Sequence, residues 1–494
     1  MKYDVVIIGA GLGGLECGYT LSKNGLNVCV LEQTPVLGGC LQTFKRRGTT
    51  FDTGFHYIGG LDEGQHLNRL FSYFKLMDLP WKKLDEDCFD EVIFHGKRYA
   101  FANGHENFVE TLSQSFPNQK ANLKNYIETL KEVGENIFNS FSPRSAEDFY
   151  QSKAFTHTAY EFLQETIDDP MLRNVLAGTS LKMELHKELP LYIFAQINDS
   201  FIQSAWRIDG GGMQIAEKLA ENIKSMGGTV VTKSKVEELE EEDGRITTAK
   251  LADGTEIEGT WFISNIHPAS TLQLVQNSKV IKNIYKRRIN NLNNSFGMFT
   301  TNIKLKPGAL PYLNRNQYIY ETDDIWNYGT FNPERKTDAV LVSYQRPQDG
   351  VQTTENIDIL TPMPWQEVEQ WEKTSLMKRG AEYEQLKAEK AEACLSIAEK
   401  QIEGLREAVD SVYTSTPLTY QYYTATHKGS AYGILKDRSK LAYTMLTPKT
   451  PIENLLLTGQ NLNLHGILGV SMTSFFTCAE IIGMEKIREE LGLL

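Results

Sequence analysis

Cysteine is scarce and scattered. Six thiols in 494 residues, at positions 17, 29, 40, 88, 394 and 478, form no CxxC pair and no dense framework. This excludes a zinc ribbon and a redox enzyme working through a CxxC disulfide, and it fits a reducing, cytoplasmic compartment. Basic charge is also short: 51 Lys and Arg against 63 Asp and Glu leave a formal net charge of −12. No basic tract carries interleaved aromatics, so nucleic acid is not an expected partner, nor is strong electrostatic capture by an anionic bilayer. No apolar run is long enough to span a membrane. The nearest, "GILGVSMTSFFTCAEIIGM" from Gly466, is interrupted by Ser, Thr and Glu480 and predicts a buried helix. The opening residues carry Lys2 and Asp4 and lack a cleavage site, which favours a strand over a signal peptide. Histidines 66, 95, 105, 157, 186 and 427 show no ligand spacing, so no metal site is expected.

What is present is a folded chain with 41% hydrophobic and 10% aromatic residues, long enough for two lobes. Residues 1–65 alternate strand, helix and strand. Residues 66–205 shift to longer helical patterns with many aromatics and few strand-like runs. The α/β character returns over 206–275, with the helix "MQIAEKLAENIKSM" and short strands split by the turn signals Glu242-Asp243-Gly244 and Asp253-Gly254. Residues 276–440 contain the strands "FGMFTTNIKL" and "DAVLVSYQ" and an expected charged helix from about Ser375 to Val409. Residues 441–494 return to strand, glycine turn and helix. The fold class expected is α/β, a Rossmann-like domain assembled from 1–65, 206–275 and 441–494. The segments 66–205 and 276–440 form an inserted mixed α+β lobe.

The first stretch carries the chemistry. In "YDVVIIGAGLGGLECGYTLSKNGLNVCVLEQ" the apolar run Val5–Ile8 reads as a parallel strand covered on both faces. Gly9, Gly11 and Gly14 follow at once. The first allows the tight turn, the second close approach to a pyrophosphate, the third tight packing of helix on sheet. Gly25 is placed to end that helix. A second strand, Val28–Leu31, ends at Glu32, whose carboxylate can accept hydrogen bonds from an adenosine ribose. The pyrophosphate is expected on the helix N-terminus, where free N–H groups and the dipole favour negative charge.

The residues after Glu32 decide the nucleotide. "TPVLGGCLQTFKRRGTTFDTGFHYIGG" has a Gly pair and then "FDTG", and is similar to the flavin-binding signature of the phytoene desaturase/amine oxidase superfamily of FAD-dependent oxidoreductases. The resemblance implies that Gly38 and Gly39 approach the FAD pyrophosphate, and that Gly54 to Tyr57 pass near the flavin ring. Many relatives carry Arg after the Gly pair where this chain has Cys40, leaving the helix dipole, backbone donors, Arg46 or Arg47 to balance the charge. "WRIDGGGMQIAEKLAENIKSMGGTVVTKSKVEEL" resembles the return to the FAD domain, with Val236 against the adenine. "GTWFISNIHP" resembles its closing strand, with His267 structural. "NLLLTGQNLNLHGILGVSMTS" resembles the last flavin-binding element: Gly459 by the ribityl chain, and a turn Gly466–Gly469 launching a helix whose first N–H groups, near Val470 and Ser471, face the flavin. With "TPLTYQYYTATHKGSAYGI" upstream, that wording is most similar to the branch of all-trans-retinol 13,14-reductases and carotenoid isomerases.

The resemblance implies hydride exchange through the flavin ring that saturates or desaturates C=C bonds of an apolar polyene or isoprenoid substrate. Only one GxGxxG occurs, so electrons are expected from outside: NAD(P)H, another donor, or a reductase partner. His56 and His465 are the expected acid–base residues and Tyr57 a third, since they fall in the motifs placed beside the flavin. Alternatives are a redox-neutral cis/trans isomerase, an amine oxidase, or a flavin- and lipid-binding protein without turnover. Peripheral contact with a bilayer stays open.

Overall fold

Strands from three distant parts of the chain build the first sheet. The computed structural model describes residues 2–141 and 152–493, apart from the side chains of 139 and 140. Lys2–Ile8 lies parallel to Val28–Leu31, pairing Val5 with Val28 and Ile8 with Leu31, and parallel to Glu256–Ser264 on its other side. Thr229–Val231 adds beside Val28–Leu31, and Leu455–Leu457 beside Glu256–Ser264, both parallel. Arg245–Leu251 and Val236–Glu242 extend the sheet as an antiparallel arm. Asp243 and Gly244 take φ of 48° and 80° at its hairpin, the left-handed pair that Asp-Gly favours.

The helix Leu12–Lys23 lies across this sheet, and nearly all of it is buried. It ends where Gly25, at φ 82°, bonds its N–H to the Ser22 carbonyl. The helix Gly466–Ile482 packs beside it, and Met213–Ser225 packs against its other side.

A second sheet of seven strands runs in the order Val409–Ser415, Gly297–Leu305, Asn356–Met363, Ala339–Tyr344, Asn316–Tyr320, Asp90–Phe94, Lys97–Phe101. All neighbours are antiparallel except Asn316–Tyr320 with Asp90–Phe94. One face carries a core of aromatic and aliphatic side chains shared with the helices of 105–203, and the other packs on the helix Ala381–Glu399. A small sheet of Ile58–Gly59, Ala205–Ile208 and Trp81–Lys83 joins the two regions.

Two expectations need correcting. The segment 66–205 supplies three strands, and the Asp90–Phe94/Lys97–Phe101 hairpin belongs to the same sheet as 297–415. Its turn, His95-Gly96 at φ 49° and 80°, follows the consecutively buried Val92, Ile93 and Phe94 and precedes the exposed Lys97 and Arg98. The charged helix spans Ala381–Glu399, not 375–409. Gly380 at φ 93° precedes it and Gly404 at φ 75° comes after it, and Val409–Ser415 is a strand.

A flavin cradle joined to an apolar chamber

One cavity of about 900 Å³ lies between the two sheets. Its size is at the upper end of ligand sites, room for a dinucleotide and part of a second molecule. The glycine loop, 31–42, 53–59, 234–237, 265–276 and 459–470 line it, so all three pieces of the first domain reach one space. The second lobe contributes Leu181, Lys182, Ile197 and Phe201, the sheet residues Met298, Leu341 and Leu360, and the strap 420–432.

At the loop end, Gly11 caps the helix Leu12–Lys23 with no side-chain hydrogen bond. Its first N–H groups are therefore open to a ligand. A methyl on Gly14 would collide with the Gly9 carbonyl oxygen, so Gly14 sits behind the loop, fixing how closely helix and strand meet, and does not line the cavity. Gly38, at φ 98°, donates its N–H to the Ala10 carbonyl at 2.8 Å and bridges to Gly11, which sets the second glycine loop against the first. Gly9, Gly39 and Gly54 line the same wall.

Glu32 does two jobs at the end of its strand. Its carboxylate accepts the Ala10 N–H at 3.0 Å and the Thr34 N–H at 2.8 Å, bracing both loops, and it lines the cavity with lone pairs to spare. Val236 stands on the same side. Asp52 of "FDTG" accepts the Gly212 N–H at 2.8 Å, tying residues of the first and second pieces together.

At the other end, the helix Gly466–Ile482 opens on the cavity with His465 as its N-cap and no side-chain cap. Its free donors are the N–H groups of Gly466, Ile467 and Leu468, all on the cavity wall. This corrects the expected position near Val470 and Ser471. The helix starts four residues earlier, so those two N–H groups are inside its ladder. Val470 and Gly459 line the cavity, while Gly469 packs against Leu464 and Ser471 faces away.

Ser471 donates to the Glu16 carboxylate at 2.6 Å between the two helices. Glu16 is fully buried, and burial pushes its pKa up to about 8. A folded-state pKa above the ordinary 4.5 means that the group's contribution is complete below that value and is lost as pH rises toward 8. Glu16→Gln should therefore gain on the native chain between pH 5 and 8, by on the order of a few kcal/mol. Denaturant melts across that range check this; a constant difference would contradict it.

Arg46 and Arg47 are exposed on the hairpin of Thr43–Arg46 and Thr49–Asp52, and no arginine lines the cavity among the described residues. A pyrophosphate bound along this wall would therefore face helix ends and backbone donors rather than a guanidinium.

His56 stands half-buried on the cavity wall, and among the described residues its Nε2, itself shielded from solvent, has no partner. Burial first, and the Arg207 charge second, pull its pKa down to about 4. His465 meets the Lys182 carbonyl through Nε2 at 3.3 Å and packs on Tyr432 with ring centres 4.6 Å apart. Burial also lowers it to about 4. The Tyr57 hydroxyl donates to Asp90 at 2.7 Å and shares a hydrogen bond with Tyr318 at 2.5 Å, and burial raises its pKa well above the ordinary value. The structure brings all three residues to the cavity but leaves none with a readily released proton at neutral pH.

Two residues at the site were not singled out from the sequence. Asn265, at the carboxyl end of Glu256–Ser264, donates to the Gly9 carbonyl at 3.3 Å and lies within 3.2 Å of where a methyl on Gly11, Gly14 or Gly459 would stand. The strand-end position of "SNIHP" was the available signal, since parallel sheets gather ligands there. Lys182, beside Phe201 on the lobe wall, belongs to no motif at all.

These features fit FAD. Two uncapped helix ends, a glycine-lined cradle and a carboxylate at the strand end open on a single long cavity. The chain belongs to the flavin containing amine oxidoreductase family, whose model matches residues 12–357. It is an FAD-dependent oxidoreductase. It is similar to the all-trans-retinol 13,14-reductase of Rattus norvegicus, 28% identical over all of this chain and 88% of that one. It is also similar to the chloroplastic prolycopene isomerase of Arabidopsis thaliana, 23% identical over 98% of this chain and 84% of the other. Among solved structures, an oxidoreductase from Methanosarcina mazei shares the fold at a TM-score of 0.64 and 17% identity, over 96% of this chain and 99% of that one.

Proposed function

We propose that this chain saturates or desaturates a C=C bond of an apolar polyene or isoprenoid lipid. One observation carries the reading: the flavin cradle opens without a break into a chamber walled by Met298, Leu341, Leu360, Ile197 and Phe201. Bound FAD supplies two-electron exchange with a substrate carbon there. The protein's part is to hold and exclude. Glu32 and Val236 would hold the adenosine, the loops at Gly9–Gly14 and Gly38–Gly39 the pyrophosphate, and the N–H groups of Gly466–Leu468 negative charge on the ring. His56, Tyr57 and His465 shape the wall between cradle and chamber.

An amine substrate suits this wall poorly. The only carboxylates lining the cavity among the described residues are Glu32 and Glu237, both at the adenosine end, whereas the chamber side carries Lys182. A cationic amine would meet like charge and no counter-ion.

A second reading is redox-neutral cis/trans isomerisation, favoured by the similarity to prolycopene isomerases over 98% of this chain. With a single GxGxxG, reduction of the cofactor needs an external NAD(P)H or a reductase partner. Among the described residues no helix is long and apolar enough to cross a membrane, and a cytoplasmic protein touching a bilayer from outside is the arrangement we propose.

Holoprotein, reduced without oxygen, is mixed with all-trans-retinol and separately with prolycopene, and the extracted lipids are weighed by mass spectrometry. A gain of two hydrogens is expected for saturation. Unchanged mass with altered geometry would favour isomerisation, and unaltered probes in both redox states of the protein would overturn both readings.

A further inference from the structure

Saturating a double bond takes one proton for each electron pair delivered, and a buried chamber must supply it from its own wall. His56, His465 and Tyr57 are poor sources at neutral pH, because burial keeps the two imidazoles uncharged and the phenol tightly protonated. His267 and His427 are stacked on each other with ring centres 4.4 Å apart, and His267 caps the helix Pro268–Leu274 by accepting the Ala269 N–H. Lys235 is paired with Glu237 at the adenosine end.

Lys182 differs from all of these. It ends the short turn Ser180–Lys182 on the chamber wall, and its side chain keeps only 11% of its exposure. Nζ lies 4.3 Å from the centre of the Phe201 ring and 4.0 Å from Asp90 Oδ2. Among the described residues Nζ makes no hydrogen bond, so its three donors are uncommitted. The groups facing it are few. Asp90 comes from its strand, hydrogen-bonded by Tyr57 and by Asn316 Nδ2 at 2.9 Å; Tyr318 joins Tyr57 from the next strand; His465 meets the Lys182 carbonyl. Arg207 reaches the same cluster through Asn316.

Building on the polyene reading of the chamber, we propose that Lys182 is its catalytic acid, the ammonium protonating the substrate carbon next to the one that receives the electron pair, with Asp90 positioning it. The π bond of the substrate breaks. One carbon gains hydrogen with two electrons, for which the reductant is reduced flavin. Its neighbour gains H⁺ as one Nζ–H bond breaks and that bond's electrons stay on nitrogen. The neutral amine regains its proton from solvent, and an external two-electron donor restores the reductant.

The electrostatics agree. Burial pulls Lys182 down to about 8, with Asp90 opposing, so the amine is charged at neutral pH yet close to release. The acid form is present below that value and lost above it.

The test uses holoprotein, all-trans-retinol as probe, and the variants Lys182→Arg and Lys182→Gln. In the native chain kcat/KM should be level below pH about 8 and fall roughly tenfold per unit above it. Both variants should lose about 10²–10⁴-fold and the alkaline limb, with flavin content and anaerobic dithionite reduction unchanged. Arginine keeps the charge but not the releasable proton. A readout without turnover accompanies these. Reductive alkylation of Lys182 by an apolar aldehyde, followed by peptide mass spectrometry, should rise with a midpoint near 8, against about 10.4 for surface lysines. A native rate and pH profile in Lys182→Arg, or alkylation of Lys182 like a surface lysine, would overturn the assignment alone. A native chain that reduces no polyene removes the functional reading itself, and the assignment with it.

Discussion

Gly14→Ala will purify with little or no flavin. The added methyl has to occupy the place of the Gly9 carbonyl oxygen, and neither side can yield. Gly9 closes the first strand with φ 95° and carries the turn into the helix Leu12–Lys23, while Gly14 holds that helix against the strand. Overpacking of this kind costs about 1–3 kcal/mol, equivalent to roughly ten- to hundredfold in FAD affinity if the strain is relieved by moving the loop. The N–H groups that meet the pyrophosphate move with it. Equilibrium dialysis of apoprotein against FAD, with a melting curve to show that the variant is folded, decides the matter. Native affinity in a folded Gly14→Ala protein would mean that the glycine loop does not shape the cofactor site.

Leu341→Trp should do the opposite: keep the flavin and lose the substrate. Leu341 lies opposite Leu360 in the second sheet, and with Met298 on a neighbouring strand the three form a flat apolar patch of the chamber wall. An indole there fills space that a polyene would need, at the chamber end and away from Glu32 and the glycine loops. We expect kcat/KM for all-trans-retinol to fall on the order of 100-fold, as steric exclusion from an apolar pocket produces, with flavin stoichiometry unaltered. Equal loss of flavin would place Leu341 in the cofactor site. Native turnover would place the substrate elsewhere.

The contrast between these two variants mirrors how much of the protein was legible in its sequence. The cradle was legible because its determinants are local: strand, glycine turn and helix lie within residues 2–31, and Glu32, the carboxylate proposed for the ribose, is the next residue. The helix ends that matter at the ring were placed only to within a turn. Gly466 looked like a turn residue, whereas it is the first residue of the helix, and that moves the free donors from Val470 and Ser471 to Gly466–Leu468. The chamber was far less legible. Its wall combines Leu181, Lys182, Ile197 and Phe201 with Met298, Leu341 and Leu360 of the second sheet, residues far apart in the chain, and no local pattern announces such partners. Lys182 is an extreme case. Nothing in "GTSLKMEL" marks a functional lysine, and its role as proposed depends on the burial and on the Asp90 carboxylate that the fold alone supplies. Asn265 was partly legible, as the residue just past a parallel strand.

The histidines show why motif position and chemistry have to be judged separately. His56 and His465 do reach the cavity, but the environment that brings them there also strips them of charge. Motif position and the ordinary histidine pKa together had suggested acid–base residues.

The central claim is that the three separated pieces of the first domain hold one FAD along this cavity. A crystal structure of the holoprotein tests it most directly. The account expects density extending from an adenosine at Glu32 and Val236, past Gly11 and Gly38–Gly39, to a ring bounded by His56 and the N–H groups of Gly466–Leu468, with the chamber beyond it. Flavin bound outside this cavity, or bound with its ring at Glu32 and its adenosine in the chamber, would contradict it.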